Sequence, residues 1–441
     1  MQKTALTTAA ALALATFGAG TAFAQSSLTL YGNADVSVDH VKKTAGVPLL
    51  NGAIALPPLG GATAAQATQG TKSSVTRVSP SATSQTSFGL KGEENLGDGY
   101  KASFVLEGQL SHDTGALSQD GRIFGRQSYV GLTTPFGEVR LGRQYAPIFY
   151  STAFVTGERF GATDLFIEGG ATNNLMVRQD NQVSYWLKAG GFTGSLAYSP
   201  NAGSYTKVNS LRATTGASAT NGGILGAIGA GTESGDTKVG RSMGFFGNYA
   251  FDSALNATAG YHRNQFDGAN FGVNTTVQST LTLDKYQAYN LGIKYVMPSN
   301  GILLDATFGQ GRYDLEGSDD NLKIQFVAAG IRVPVNQWTF SGQVSQIKFK
   351  NFTKGKDTGL MLGAEYALSK RTTVYARAVQ IRDDEGEAYN GAFNPALGGI
   401  VGGPDVIATA FGFRETPVFA GVGINPGGKS TYIGAGVRHS F

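Results

Sequence analysis

The sequence predicts an all-β fold: a 16-stranded antiparallel transmembrane β-barrel with short periplasmic turns and long external loops. Three observations predict it: the closing strand, the rhythm of the connections, and an N-terminal segment of export type. In the closing strand, Thr431, Ile433, Ala435 and Val437 share one face, completed by Phe441. Tyr432, Gly434, Gly436 and Arg438 share the other. An apolar outside with a polar or small inside, at the end of a chain, fits the last strand of a membrane barrel. A half-buried strand of a soluble sandwich has the same period, so the other two observations decide.

Strand signals recur sixteen times, at about 28–38, 85–93, 100–110, 124–133, 137–145, 178–188, 192–200, 241–250, 254–263, 283–295, 302–312, 323–332, 337–349, 358–367, 372–382 and 430–441. Ala102, Phe104 and Leu106 oppose Lys101, Ser103 and Glu107. Leu255, Ala257, Ala259 and Tyr261 oppose Asn256, Thr258, Gly260 and His262. Trp338, Phe340 and Val344 oppose Thr339, Ser341, Gln343 and Ser345, whereas 372–382 has no clean alternation. Tight connections such as Thr134-Pro135, Ala189-Gly-Gly191 and Phe251-Asp-Ser253 alternate with long ones, about 39–84, 111–123, 146–177, 201–240, 264–282, 313–322, 350–357 and 383–429. Short turns on one side and long loops on the other are the pattern of an up-and-down membrane barrel. A globular domain does not carry so many long structureless loops. An even strand number places both termini on the periplasmic side. Residues 44–75 and 201–240, rich in Ala, Gly, Thr and Ser, read as mobile external loops, and the more apolar 383–429 as a segment over the barrel mouth.

At the N-terminus, Lys3 precedes an apolar stretch from Ala5 to Phe17, and Ala22-Phe23-Ala24 offers small residues where a secretory cleavage site needs them. The expected domains are therefore a removed signal peptide, 1–24, and a single barrel, 25–441. No later run of 18 apolar residues supplies a helical span. Cysteine is absent, so export proceeds without disulfides. Glycine, 63 of 441 residues, is about twice its usual share. A hydrophobic fraction of 41 % with 15 % charged residues suits a barrel with a wet lumen, because only every second strand residue faces lipid. The net charge of +4, with no basic tract, gives no reason to expect nucleic acid as a partner.

The stretch Leu90-Lys-Gly-Glu-Glu-Asn-Leu-Gly-Asp-Gly-Tyr-Lys-Ala-Ser-Phe-Val-Leu-Glu107 resembles the second and third strands of general bacterial porins, of the type common in β-proteobacteria. So do Phe124-Gly-Arg-Gln-Ser-Tyr-Val-Gly-Leu132, Phe136-Gly-Glu-Val-Arg-Leu-Gly-Arg-Gln-Tyr145, the start Leu28-Thr-Leu-Tyr-Gly-Asn-Ala-Asp35 and the end Val437-Arg-His-Ser-Phe441. From about 240 to 385 the likeness is one of pattern more than of words. The resemblance implies a homotrimer in the outer membrane of a Gram-negative bacterium, in contact with lipid and lipopolysaccharide. It implies a general diffusion porin, in which ions and small hydrophilic solutes permeate passively. It further implies an inward-folded third loop, here about Ala146–Val177. That loop holds the acids Glu158, Asp164 and Glu168 among Phe154, Phe160, Leu165 and Phe166.

Cations opposite those acids create a transverse field that sorts ions and orients dipolar solutes. In the family, arginines on the second, fourth and sixth strands supply them. Arg126 matches the fourth-strand position and Arg178 the sixth. The second-strand match is Ser87, a departure that weakens the ladder; Arg77, in the preceding loop, is a candidate replacement. Alternation puts Ser87, Lys101 and Glu107 on the lumen face, and Arg178 with Asp180 inward if Val183, Tyr185 and Leu187 face lipid. A lipid-facing charge would cost up to ~2–4 kcal/mol at the midplane. Arg140 and Arg143 lie on opposite faces of one strand, and alternation does not say which reaches the pore.

Two rival functions weigh less. An outer-membrane enzyme needs a dry, shaped set of catalytic groups. The four histidines, His40, His112, His262 and His439, sit singly at expected strand ends, and the acids at 383–387 lack calcium-loop spacing. No enzyme and no cofactor is therefore expected. A substrate-specific outer-membrane channel with a lumenal binding site is the stronger alternative, with Tyr286 and Tyr432 as inward candidates.

Overall fold

The computed structural model describes residues 26–44, 73–80, 82–117, 121–157, 178–200, 241–271, 281–315, 321–351, 355–384, 392–394, 399–401 and 428–441. Its strands form one closed antiparallel ring and one separate two-stranded hairpin. In chain order they are β1 (Ser26–Thr44), β2 (Ser73–Pro80), β3 (Ser87–Gly97), β4 (Tyr100–Gln109), β5 (Gln127–Thr134), β6 (Gly137–Tyr145), β7 (Arg178–Ala189), β8 (Phe192–Ser199), β9 (Ser242–Ala250) and β10 (Leu255–Phe271). They continue as β11 (Leu281–Val296), β12 (Leu303–Leu315), β13 (Asn321–Val335), β14 (Trp338–Asn351), β15 (Gly355–Ala367), β16 (Thr372–Asp384), a hairpin β17 (Ala392–Asn394) and β18 (Gly399–Val401), and β19 (Lys429–Ser440). One short helix, α1 (Pro147–Ala153), follows β6. Both β2 and β3 pair with β1 on the same side and are two halves of the second barrel strand, so the barrel has sixteen strands.

The ring closes where β1 meets β19, from Asn33 opposite Ser440 to Thr44 opposite Lys429. Gly32 and Phe441 exchange both backbone hydrogen bonds, each at 3.1 Å, so the terminal residue finishes the ladder. The Phe441 ring lies where a Gly32 Cβ would be, which is why this position carries no side chain. Tight turns join the strands at the opposite end from the long loops. Asp98 and Asn336 adopt left-handed backbone there (φ 49° and 55°), a conformation these residue types tolerate.

Alternation then sorts the side chains. Leu28, Leu30, Val130, Leu141, Leu196, Leu291, Leu362 and Ile433 are exposed on the outer surface, the apolar band of a membrane barrel. Asp35, Asp39, Glu107, Asn290, Gln343, Glu365 and Arg377 are buried on the inner one. Trp338, with Phe340 at 5.8 Å and Tyr366 at 4.9 Å, forms part of an aromatic belt beside the β13–β14 turn.

The structure departs from the sequence reading in four places. The wall continues through 39–44 and 73–80, both expected in the first external loop. Arg77 is therefore a strand residue, paired with Asp39 at 3.1 Å. Strand β10 runs on to Phe271, so His262 is not at a solvated strand end; it is 1 % exposed on the inner face. The irregular 372–382 segment faces Val374 outward and buries Tyr375, Val379 and Ile381 on the lumen side, where Ala82 covers them. Finally, α1 was not expected. The proposed signal peptide, residues 45–72 of the expected 44–75 loop, the loop 201–240, and Glu158, Asp164, Glu168, Phe160, Leu165 and Phe166 lie outside the described residues.

Replacing Gly32 with Val should obstruct closure and cost about 1–3 kcal/mol, as overpacking typically does. The check is the fraction of refolded protein that migrates as the heat-modifiable folded band. A wild-type fraction would contradict the closure role of this contact.

Candidate functional site: the inner wall of the barrel

The third loop begins by turning into the barrel. Pro147 opens α1, preset for a first helical turn, and Pro147, Ile148, Ser151 and Thr152 are buried. Glycines on the inner face of β9–β11 form its seat. A Cβ at Gly244 would meet Pro147 at 3.4 Å, one at Gly260 the Ser151 hydroxyl at 2.7 Å, and one at Gly292 the Val155 side chain at 2.5 Å.

Polar side chains of the wall fasten the same segment. Thr258 donates to the Ser151 carbonyl (2.5 Å), Asn290 to the Thr152 hydroxyl (3.2 Å), and Lys294 to the Phe154 carbonyl (2.7 Å). At the far end the Gly157 N–H donates to Asp305 and its carbonyl accepts from Arg332, each at 2.9 Å. Tyr150 meets Trp186 edge-on at 4.8 Å, and Phe154 packs against Phe246 at 5.0 Å. Burial pushes the Tyr150 hydroxyl well up, so it stays a neutral part of this packing. Phe154 thus anchors the segment on the inner wall.

Arginines gather where α1 leaves the wall. Arg126, just before β5, makes an ion pair with Glu107 and hydrogen bonds with Gln85 and with the Tyr145 hydroxyl (2.6 Å). Tyr31 donates to the other oxygen of Glu107 at 2.8 Å. Arg178, 4 % exposed at the start of β7, donates to the same Tyr145 hydroxyl at 3.1 Å and lies 4.7 Å from its ring. Tyr145 therefore binds both predicted arginines into one unit, and Phe149 stacks on it at 4.3 Å.

Next to this unit, Arg122 and Arg143 share Asp180. Asn181 is left-handed (φ 53°) and the β6–β7 register shifts between Gly142 and Gln144. Plain alternation from Val183 back to Asp180 therefore does not hold. Arg140 lies on the inner face, since Val139 and Leu141 are exposed outside; it pairs with Glu138 at 2.7 Å and covers Trp186 at 4.7 Å. Glu107 thus takes Arg126, Asp180 takes Arg122 and Arg143, and Arg178 is held by Tyr145.

The remaining predicted positions are also placed. Ser87 stands opposite Asn33 and Gln109. Lys101 shares the Glu107 face of β4, near the turn, and pairs with Glu93 at 2.7 Å. A second basic group went unread: Arg332, Arg377 and Arg438 surround Glu365 at 3.5, 3.5 and 3.2 Å. Arg438 was already on the small-and-polar face of the last strand, so its inward aim was legible; its partners were not. Tyr286 and Tyr432 are inward and buried, at 0 % and 2 % exposure.

A closed sixteen-strand barrel with a polar, charged inner wall and a loop entering the lumen has counterparts among known proteins. The Gram-negative porin family profile matches residues 8–386. The chain is a Gram-negative porin. It is 27 % identical to outer membrane porin protein 32 of Delftia acidovorans, across 98 % of this chain and 99 % of that protein. It is 28 % identical to an outer membrane porin protein of Bordetella pertussis, across 80 % and 82 %. The anion-selective porin from Comamonas acidovorans shares the fold, with a TM-score of 0.62, 23 % identity and coverage of 95 % and 100 %. The porin is an outer-membrane protein, and its family and fold are those of a channel.

Replacing Gly260 with Val should push α1 off its seat, cost about 1–3 kcal/mol, and alter the unitary conductance of a still-folded barrel. An unchanged conductance in planar bilayers would contradict the docking of this segment inside the lumen.

Proposed function

We propose that this porin is a passive diffusion channel that favours small anions, and that it carries no catalytic activity. One observation supports the preference most directly: beside the root of the third loop, Arg126 and Arg178 come together on the Tyr145 hydroxyl. Cationic groups lining a narrow, low-dielectric passage concentrate anions and repel cations. Arg126 and Arg178 are the basic side of the constriction, with Ser87, Lys101 and Glu107 on the lumen face around them. Glu158, Asp164 and Glu168 are the proposed acidic side, set against the arginines to produce a transverse field. A protein whose name records anion selectivity shares this fold, which agrees with the reading.

The working unit is a homotrimer, each protomer with its own pore, as a trimer form among the proteins of this fold suggests. Lipid covers the apolar band and lipopolysaccharide its outer half. The mature chain begins at Gln25 after loss of residues 1–24. Tyr286 and Tyr432 are packed within the wall rather than presented to solute, which disfavours a solute-specific channel.

Replacing Arg126 and Arg178 together with Ala should move the zero-current potential in a salt gradient toward cation preference. An unchanged potential in the double variant would remove both residues from the selectivity mechanism. The N-terminus follows from the intact mass of protein extracted from outer membranes. A chain retaining residues 1–24 would refute the processing.

A further inference from the structure

The second barrel strand is broken, and the break points inward. Strand β1 pairs with β3 up to Asn33–Ser87 and with β2 from Val36–Pro80 onward. Between those pairs β1 has only Ala34 and Asp35, whereas its neighbour has residues 81–86. The surplus chain must leave the ladder, toward lipid or toward the lumen. Unpaired backbone facing hydrocarbon is prohibitive, so only the lumen is open to it.

The side chains agree. Asp35 lies on the inner face, fully buried, and accepts from the Thr83 N–H (3.0 Å) and hydroxyl (2.5 Å) and from the Ser84 N–H (2.7 Å). Tyr375 of β16 donates to the same carboxylate. Ala82 packs with Met361, Tyr375, Val379 and Tyr432 on the lumenal side of β15, β16 and β19. Thr86 bonds both the N–H and the carbonyl of Asp35, each at 3.1 Å.

The excursion also reaches arginines on both flanks. Arg126 donates to the Gln85 side chain on one side, and Arg438 donates to the Thr83 hydroxyl at 3.0 Å on the other. Through Arg438 it meets the Glu365 group.

We propose that Ala82–Thr86 is a second constriction element, built from the barrel wall itself and independent of the third loop. It stands in for the arginine that Ser87 lacks: a short polar ledge holds Arg126 and Arg438 in the lumen and lines the anion path between them. The proposal rests on the channel reading, and it makes Ser84 and Gln85 pore-lining residues.

The chain has no cysteine, so single thiols report cleanly. Ser84→Cys and Gln85→Cys are each reconstituted in planar bilayers and treated with negatively and positively charged methanethiosulfonates. Ser84→Cys is nearly isosteric, and folding of both variants is checked by heat-modifiability. The expected result is a stepwise loss of conductance on labelling, with the negative reagent reacting faster because the flanking arginines concentrate it. Unchanged conductance in both variants, with labelling verified by mass, would overturn the proposal. So would thiols in the folded barrel that neither reagent reaches. A wild-type protein that forms no conducting steps would instead refute the channel reading, so the two failures are distinguishable.

Discussion

A chain that crosses hydrocarbon must satisfy every backbone N–H and C=O within itself, and a sheet does this only by closing. In this porin the closure is the pairing of β1 with β19, completed by the reciprocal bonds between Gly32 and Phe441. Once the ring is shut, the two-residue period of each strand leaves one choice per side chain, lipid or lumen. The exposed belt of Leu, Ile, Val and aromatic residues and the buried inner charges are both consequences of that choice. So is the inward course of 82–86, since extra chain in a closed ring can be accommodated only where polar groups find partners.

The lumen is then furnished from two sides. On one, glycines in β9–β11 remove side chains from a strip of wall and α1 lies in the space, fastened by Thr258, Asn290, Lys294, Asp305 and Arg332. On the other, Asp35 gathers the broken second strand. Between them stand Arg126 and Arg178, joined through Tyr145. Buried guanidinium groups are costly unless they are paired and hydrogen-bonded. Glu107, Gln85 and Tyr145 meet that need for Arg126.

Much of this was legible in the residues. Sixteen strands followed from alternation and from turns such as Thr134-Pro135 and Ala189-Gly-Gly191, because a strand with one face in lipid cannot hide its period. The inward aim expected of Ser87, Lys101 and Glu107 comes from the same rule. The rule stops at irregularities. Asn181 at positive φ breaks the parity that would orient Asp180, and 372–382 buries apolar residues on the lumen side because Ala82 meets them there. The strand at 73–80 was hidden in a long loop, since its value lies in pairing with β1, far away in sequence. For Gly260 and Gly292 the residue type was visible but its purpose was not, because the helix they accommodate comes from another part of the chain.

The central claim is that an open, cationic lumen carries solute. The measurement that tests it most directly is the current through refolded wild-type protein in a planar bilayer under a salt gradient. Large ohmic steps in groups of three, with a zero-current potential of the sign set by anions, are the result expected. Absent steps, or a potential set by cations, would contradict it.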